Sequence, residues 1–118
     1  MIRLFKPGYE ELRGCLEGLA REAFDEVLEA ISESVPSYWD KRWRERTLNL
    51  VMAEWLVAWA ESRKVFISRF AYLRAAHMAQ TTRRFNDGDL WDGISATSRA
   101  DEILVALEDG GFMPPPDS

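Results

Sequence analysis

Leu48–Ala60 reads LNLVMAEWLVAWA, and its thirteen residues hold a single charge, Glu54. A helix that is apolar nearly all round has no face to offer water, so it belongs at the centre of a domain. After Pro36 the chain has neither Gly nor Pro until Gly88, so nothing local interrupts a helix there. Leu48, Met52, Trp55 and Trp59 share one face of it, and Phe66, Phe70, Leu73 and His77 continue that face nearly in phase. One unbroken helix would make an elongated molecule whose core needs a second chain. The polar run Glu61-Ser62-Arg63-Lys64 is where a compact domain is expected to break it.

Upstream, Leu12, Leu16, Leu19, Ala20, Ala23, Phe24, Val27, Leu28 and Ile31 recur at helical spacing. Pro7 and Gly8 open this segment and Ser34 and Pro36 close it, which predicts one amphipathic helix of about five turns. Its polar side carries Glu22, Glu26, Glu29 and Glu33, spaced 4, 3 and 4, with Asp25 beside them. Cys15 stands at the margin of the apolar side as a small filler. Gly14 and Gly18, four apart on the other side, suit the close approach of another helix. Ser37 is placed to cap the next helix, with Asp40 completing a capping box.

Downstream, Asn86-Asp87-Gly88-Asp89 reads as a turn, and Leu90–Ala96, with Trp91 and Ile94, as a loop. Ser98 with Asp101 resembles a capping box for a helix through Ile103, Leu104 and Leu107, stopped by Gly110-Gly111. No repeat and no strand-like alternation stands out. The expected fold is all-α, an antiparallel bundle of three to four helices. Residues 1–112 make a single helical domain and 113–118 a flexible tail.

With 47% apolar residues the chain can build a core, and no window approaches the 18 or so apolar residues of a membrane span. The opening residues lack the apolar run and cleavage site of a signal peptide, and the single Cys15 cannot form an internal disulfide. A cytoplasmic protein is expected. Charge is sorted along the chain. Residues 1–34 carry eight acids and four bases, residues 35–85 four and ten, and residues 86–118 eight and one, for a net of -5. That balance disfavours nonspecific binding to nucleic acid or anionic membrane by the molecule as a whole.

Tyr38–Arg46, YWDKRWRER, interleaves aromatics with bases. On one helix Trp39 and Trp43 share a face, opposite the Leu48–Trp59 face and on the side of Leu50 and Val57. Lys41, Arg42, Arg44 and Arg46 surround them. Such a segment packs internally, anchors a protein partner, or stacks on bases and grips phosphates. His77, the only histidine, falls on the apolar phase and reads as a core or boundary residue with no neighbouring acid or nucleophile to make it catalytic. Asp87, Asp89 and Asp92 do not match a calcium loop. Phosphate-binding, dinucleotide, hydrolase and zinc motifs are absent.

These features predict a non-enzymatic inhibitor or adaptor, of the toxin-immunity or phage anti-defence kind. Glu22, Glu26, Glu29 and Glu33 would dock on a basic protein surface, and the Trp39, Arg42, Trp43, Arg44, Arg46 segment would pack or anchor. No cofactor or metal is expected, and the protein would be a monomer or homodimer. The alternatives are a helical nucleic-acid binder using segment 38–46, and a small enzyme or ligand binder with a pocket near His77.

Overall fold

In the computed structural model the described residues are 8–35, 37–39, 41–63, 67–86 and 96–111, with backbone alone at 42, 43, 62, 63, 84–86 and 96. They form five helices: α1 Tyr9–Gly14, α2 Gly18–Ser32, α3 Lys41–Arg63, α4 Arg69–Asn86 and α5 Ala96–Asp109. The fold is all-α, four long helices with α1 as a short lead-in.

α3 is the hub. Leu50, Val51, Met52, Ala53, Trp55 and Leu56 are all buried, so side chains on every side of its middle turns are covered. α4 and α5 pack along it most extensively, with α2 and α1 completing the enclosure. α2 contributes Ala20, Phe24, Val27 and Ile31, and α5 contributes Ala100, Ile103 and Leu107. Among its described side chains α4 turns only Ala71 and Ala75 fully inward, small residues that let its backbone approach the large side chains of α3. Phe24 meets the Trp55 ring edge-on at 6.2 Å, and Trp59, one helical turn on, stacks on Trp55 at 5.3 Å.

The break expected in Glu61–Lys64 is present: α3 ends at Arg63, within that run, and α4 starts at Arg69. A connection this short makes the two helices antiparallel neighbours. The core is therefore completed within one chain.

Several local expectations are overturned. The first amphipathic segment is two helices, broken at Cys15–Glu17, because Gly18 adopts φ +58, a left-handed conformation that glycine enters without penalty. A Cβ at Gly14 or Gly18 would meet nothing within 4 Å, so neither glycine serves a close helix approach. α3 begins at Lys41, not after Ser37, which lies in an exposed turn; Asp40 is outside the described residues. Trp39 sits in that turn, so it does not share a helix face with Trp43. Phe70, Leu73 and His77 point outward, because Ala71 and Ala75 set the buried phase of α4; Phe66 is outside the described residues. α5 begins two residues before Ser98, which lies inside its first turn. Asn86 ends α4, while 87–95 and the tail 113–118 lie outside the described residues.

Polar contacts then fix how the helices are set. Glu54, the lone charge of the apolar run, accepts from Arg83 at both oxygens, at 2.5 Å from Nε and 2.8 Å from Nη2. The same Nη2 donates to Asp101 at 2.6 Å, so one guanidinium joins α4, α3 and α5. These bonds hold the Arg83 pKa far above its ordinary value. Arg74 pairs with Glu11 at 2.5 Å, fastening α4 to α1, and Arg99 donates to the Ser34 carbonyl at 2.7 Å, fastening α5 to the end of α2. The Tyr9 amide donates to Asn49 Oδ1 at 2.9 Å. Gly8, at φ +147, lies so close that a Cβ would come within 2.8 Å of that oxygen.

Two stability outcomes follow. Arg83→Met leaves the half-buried Glu54 without its partner and should lower the unfolding free energy by about 2 kcal/mol in urea titrations. Gly18→Ala forces a side chain into the left-handed region and should cost about 1–2 kcal/mol in the same titration.

Candidate functional site

The α2 surface is the most coherent charged feature. Its buried residues Ala20, Phe24, Val27 and Ile31 are spaced 4, 3 and 4. Glu22, Glu26, Glu29 and Glu33 follow each of them by two positions. Two residues are about 200° of helical rotation, so the acidic row stands opposite the core. All four are exposed, and none makes an ion pair or hydrogen bond among the described residues. Glu33 caps the helix in right-handed helical conformation, which keeps it on the ridge. From Glu22 to Glu33 the row is roughly 16 Å long at the helical rise.

This row works against its own helix. α2 has no acid in its first turn and no base in its last. Glu29 and Glu33 instead approach the negative end of the macrodipole, where an acid costs about 0.3–1 kcal/mol. Glu22–Glu26 and Glu29–Glu33 are like-charge neighbours one turn apart, a further few tenths, about 0.2–0.5 kcal/mol per pair.

Asp25, beside the row, is used differently. Arg13 donates to it through Nε at 2.6 Å and Nη2 at 3.0 Å, linking α1 to α2 across the break. That hydrogen bonding, opposed by burial and helped by the Arg13 and Arg21 charges, holds its carboxyl below the ordinary aspartate range.

The 38–46 segment is divided by the fold. Trp39 is only 6% exposed and belongs to the core, so its ring is not presented for stacking. Tyr38 is exposed, and Arg44 and Arg46 are half-buried on α3. Arg42 and Trp43 lie in the first turn of α3, and their side chains are outside the described ones. Leu50 is fully buried and Val57 half-buried, so that second side of α3 is covered by internal packing.

His77 is exposed, with Thr81 Oγ1 3.4 Å from its Nε2. It borders two open grooves along α4. One, about 520 Å³, is walled by Leu73, Ala76 and Ala79, with Gln80 and the Glu54–Arg83 pair. The other, about 350 Å³, runs past Gly8, Asn49, Arg74 and Thr82. In the first groove the carboxylate and guanidinium already satisfy each other, which leaves neither free as an acid or base. Cys15 is a half-buried free thiol; burial, with the Glu11 charge, pushes its pKa up, which lowers its nucleophilicity at neutral pH. Among the described residues no three His, Cys, Asp or Glu side chains gather as metal ligands, and no helix is long and apolar enough to cross a membrane.

The Glu54–Arg83–Asp101 cluster was not predicted from the sequence. A signal for it existed, since one carboxylate inside a thirteen-residue apolar run needs a cationic partner. Nothing in the sequence singled out Arg83 among the ten bases of the middle segment. No protein-family model, curated protein or solved structure matches the chain.

Replacing Asp25 by Asn tests the α1–α2 link by its pH dependence. The folded-state pKa is depressed, so the ionised Asp25 stabilises the fold above the ordinary aspartate pKa, and this is lost as pH falls through the depressed value. The difference in melting temperature between wild type and Asp25→Asn should be present at neutral pH and should close in acid below the usual aspartate range.

Proposed function

We propose that the protein is a non-enzymatic binding module, an inhibitor or adaptor whose α2 ridge docks on a basic surface of another protein. The supporting observation is the row Glu22, Glu26, Glu29 and Glu33, fully outward and unpaired although it costs the helix stability. Elsewhere the acids Glu11, Asp25, Glu54 and Asp101 are joined to arginines. A cationic partner would supply what this helix lacks, namely positive charge near its C-terminal end and along its outer face.

The partner class that fits is a nucleic-acid-handling enzyme with a basic groove. A line of carboxylates on a rigid helix can occupy a phosphate-binding track and exclude the polyanion. Toxin-immunity and phage anti-defence proteins are the functional classes for this reading, and the host-cell interior is its compartment. Burial of Trp39 weakens the rival nucleic-acid reading of segment 38–46, because an aromatic in the core cannot stack on a base.

The test begins with a pull-down from nuclease-treated lysate of the native host or its target cell, followed by measured binding to the recovered protein. Glu26→Lys with Glu29→Lys should slow association at least about tenfold and flatten its dependence on salt. Unchanged binding to that partner would discard the α2 docking model. Recovery of nucleic acid from untreated lysate, with no protein partner, would transfer the question to Arg44 and Arg46.

A further inference from the structure

Of the two grooves that His77 borders, the one toward α1 keeps hydrogen-bonding capacity that the fold does not use. It holds about 350 Å³. Arg74, Met78 and Thr82 stand one turn apart on α4 and form one wall, with His77 and Thr81 as a second row beside them. Asn49 of α3, and Gly8 just ahead of α1, close the other side.

The spare capacity is mostly that of donors. Asn49 accepts the Tyr9 amide at Oδ1, 2.9 Å away, which leaves both hydrogens of its Nδ2 without an acceptor among the described residues. Arg74 gives Nη2 to Glu11 at 2.5 Å, and its buried Nε makes no hydrogen bond. The Thr82 hydroxyl has no partner among the described residues. Thr81 meets His77 Nε2 only at 3.4 Å, a long contact. No carboxylate stands among the described residues that line this groove. The neighbouring groove differs on that point, since its Glu54 and Arg83 satisfy each other.

We infer that this groove binds a small molecule by its oxyanion, a phosphate or carboxylate group. Such a group accepts from several donors at once and asks for none in return. The Asn49 amide, the Thr82 hydroxyl and the Arg74 guanidinium supply them. The groove is larger than a bare ion fills and falls in the size range of small-molecule sites, so the body of the ligand lies along Met78. Glu11 sets the strength. It holds Arg74 in place but offsets its charge, so neutral donors carry much of the contact and binding is weak. The inference uses no residue of the α2 row and is independent of the proposed docking there.

Titration of the full chain with sodium phosphate, and separately with sodium acetate, tests it by heteronuclear NMR. The pH is held constant and sodium chloride keeps the ionic strength fixed. Saturable shifts are expected at the Asn49 side-chain amide and at the backbone amides of residues 78–82. Whichever probe saturates tells a phosphate ligand from a carboxylate one. Asn49→Asp keeps an acceptor for the Tyr9 amide but puts a like charge where the Nδ2 donor was, and should raise the Kd at least about tenfold. Thr82→Val, of nearly the same shape, should raise it several-fold. Glu11→Gln frees the Arg74 charge and should lower it several-fold. Circular dichroism should be the same for all three variants. Shifts that stay linear with both probes, shifts that chloride alone reproduces, or an affinity indifferent to Asn49→Asp and Glu11→Gln would each overturn the inference.

Discussion

The central turns of α3 carry large apolar side chains on every side, and a helix of that kind is stable only when enclosed. The other helices are arranged by that requirement. Residues 50–53 and Trp55 and Leu56 cover the helix circumference, so α2, α4 and α5 must each take a sector of it. Burying a large apolar side chain is worth about 1.5–3 kcal/mol, and these residues together outweigh any single polar contact in the molecule. The carboxylate of Glu54, half-buried in that surface, is then the point where burial and charge meet. Its two bonds from Arg83 let the enclosure close over it, and the further bond to Asp101 ties the enclosing helices to one another.

Strong hydrophobic pattern was readable, and fine placement was not. The run Leu48–Ala60, eleven of its thirteen residues apolar, announces a buried helix because no alternative accommodates it, and α3 ends at Arg63, within the polar cluster Glu61–Lys64. The α4 phase was misread because Phe70 and Leu73 outrank alanine on any hydrophobicity argument, while packing against a helix as bulky as α3 selects Ala71 and Ala75. The break in the first amphipathic segment was missed for a related reason. The apolar period runs unbroken through Leu12, Leu16 and Ala20, and only the backbone of Gly18 reveals that the chain changes direction between them. Ser98 in turn has the side chain of a cap without the position of one.

The acidic ridge was legible because it depends only on helical spacing and on the opposed apolar row, both of which survive a shift in where the helix begins. Segment 38–46 was not, because its reading assumed that Trp39 was already helical. Moving the helix start to Lys41 separates Trp39 from Trp43 and sends the former into the core. A site defined by two side chains on one face is only as good as the boundary that puts them there.

Sorted charge along a chain does not translate directly into sorted charge on a surface. The middle segment carries the excess of bases, yet Arg74 is joined to Glu11 of the first segment and Arg83 to Asp101 of the last. The basic centre is therefore drawn inward as the means by which acidic ends are fastened to it. What the surface keeps is the remainder, and among the described residues that remainder includes the exposed row of α2 glutamates. Among the described residues no base relieves their repulsion, whereas the Glu54–Arg83 pair lowers a cost that burial imposes. The row is thus held against the stability of its own helix, both by like-charge spacing and by its approach to the negative end of the macrodipole.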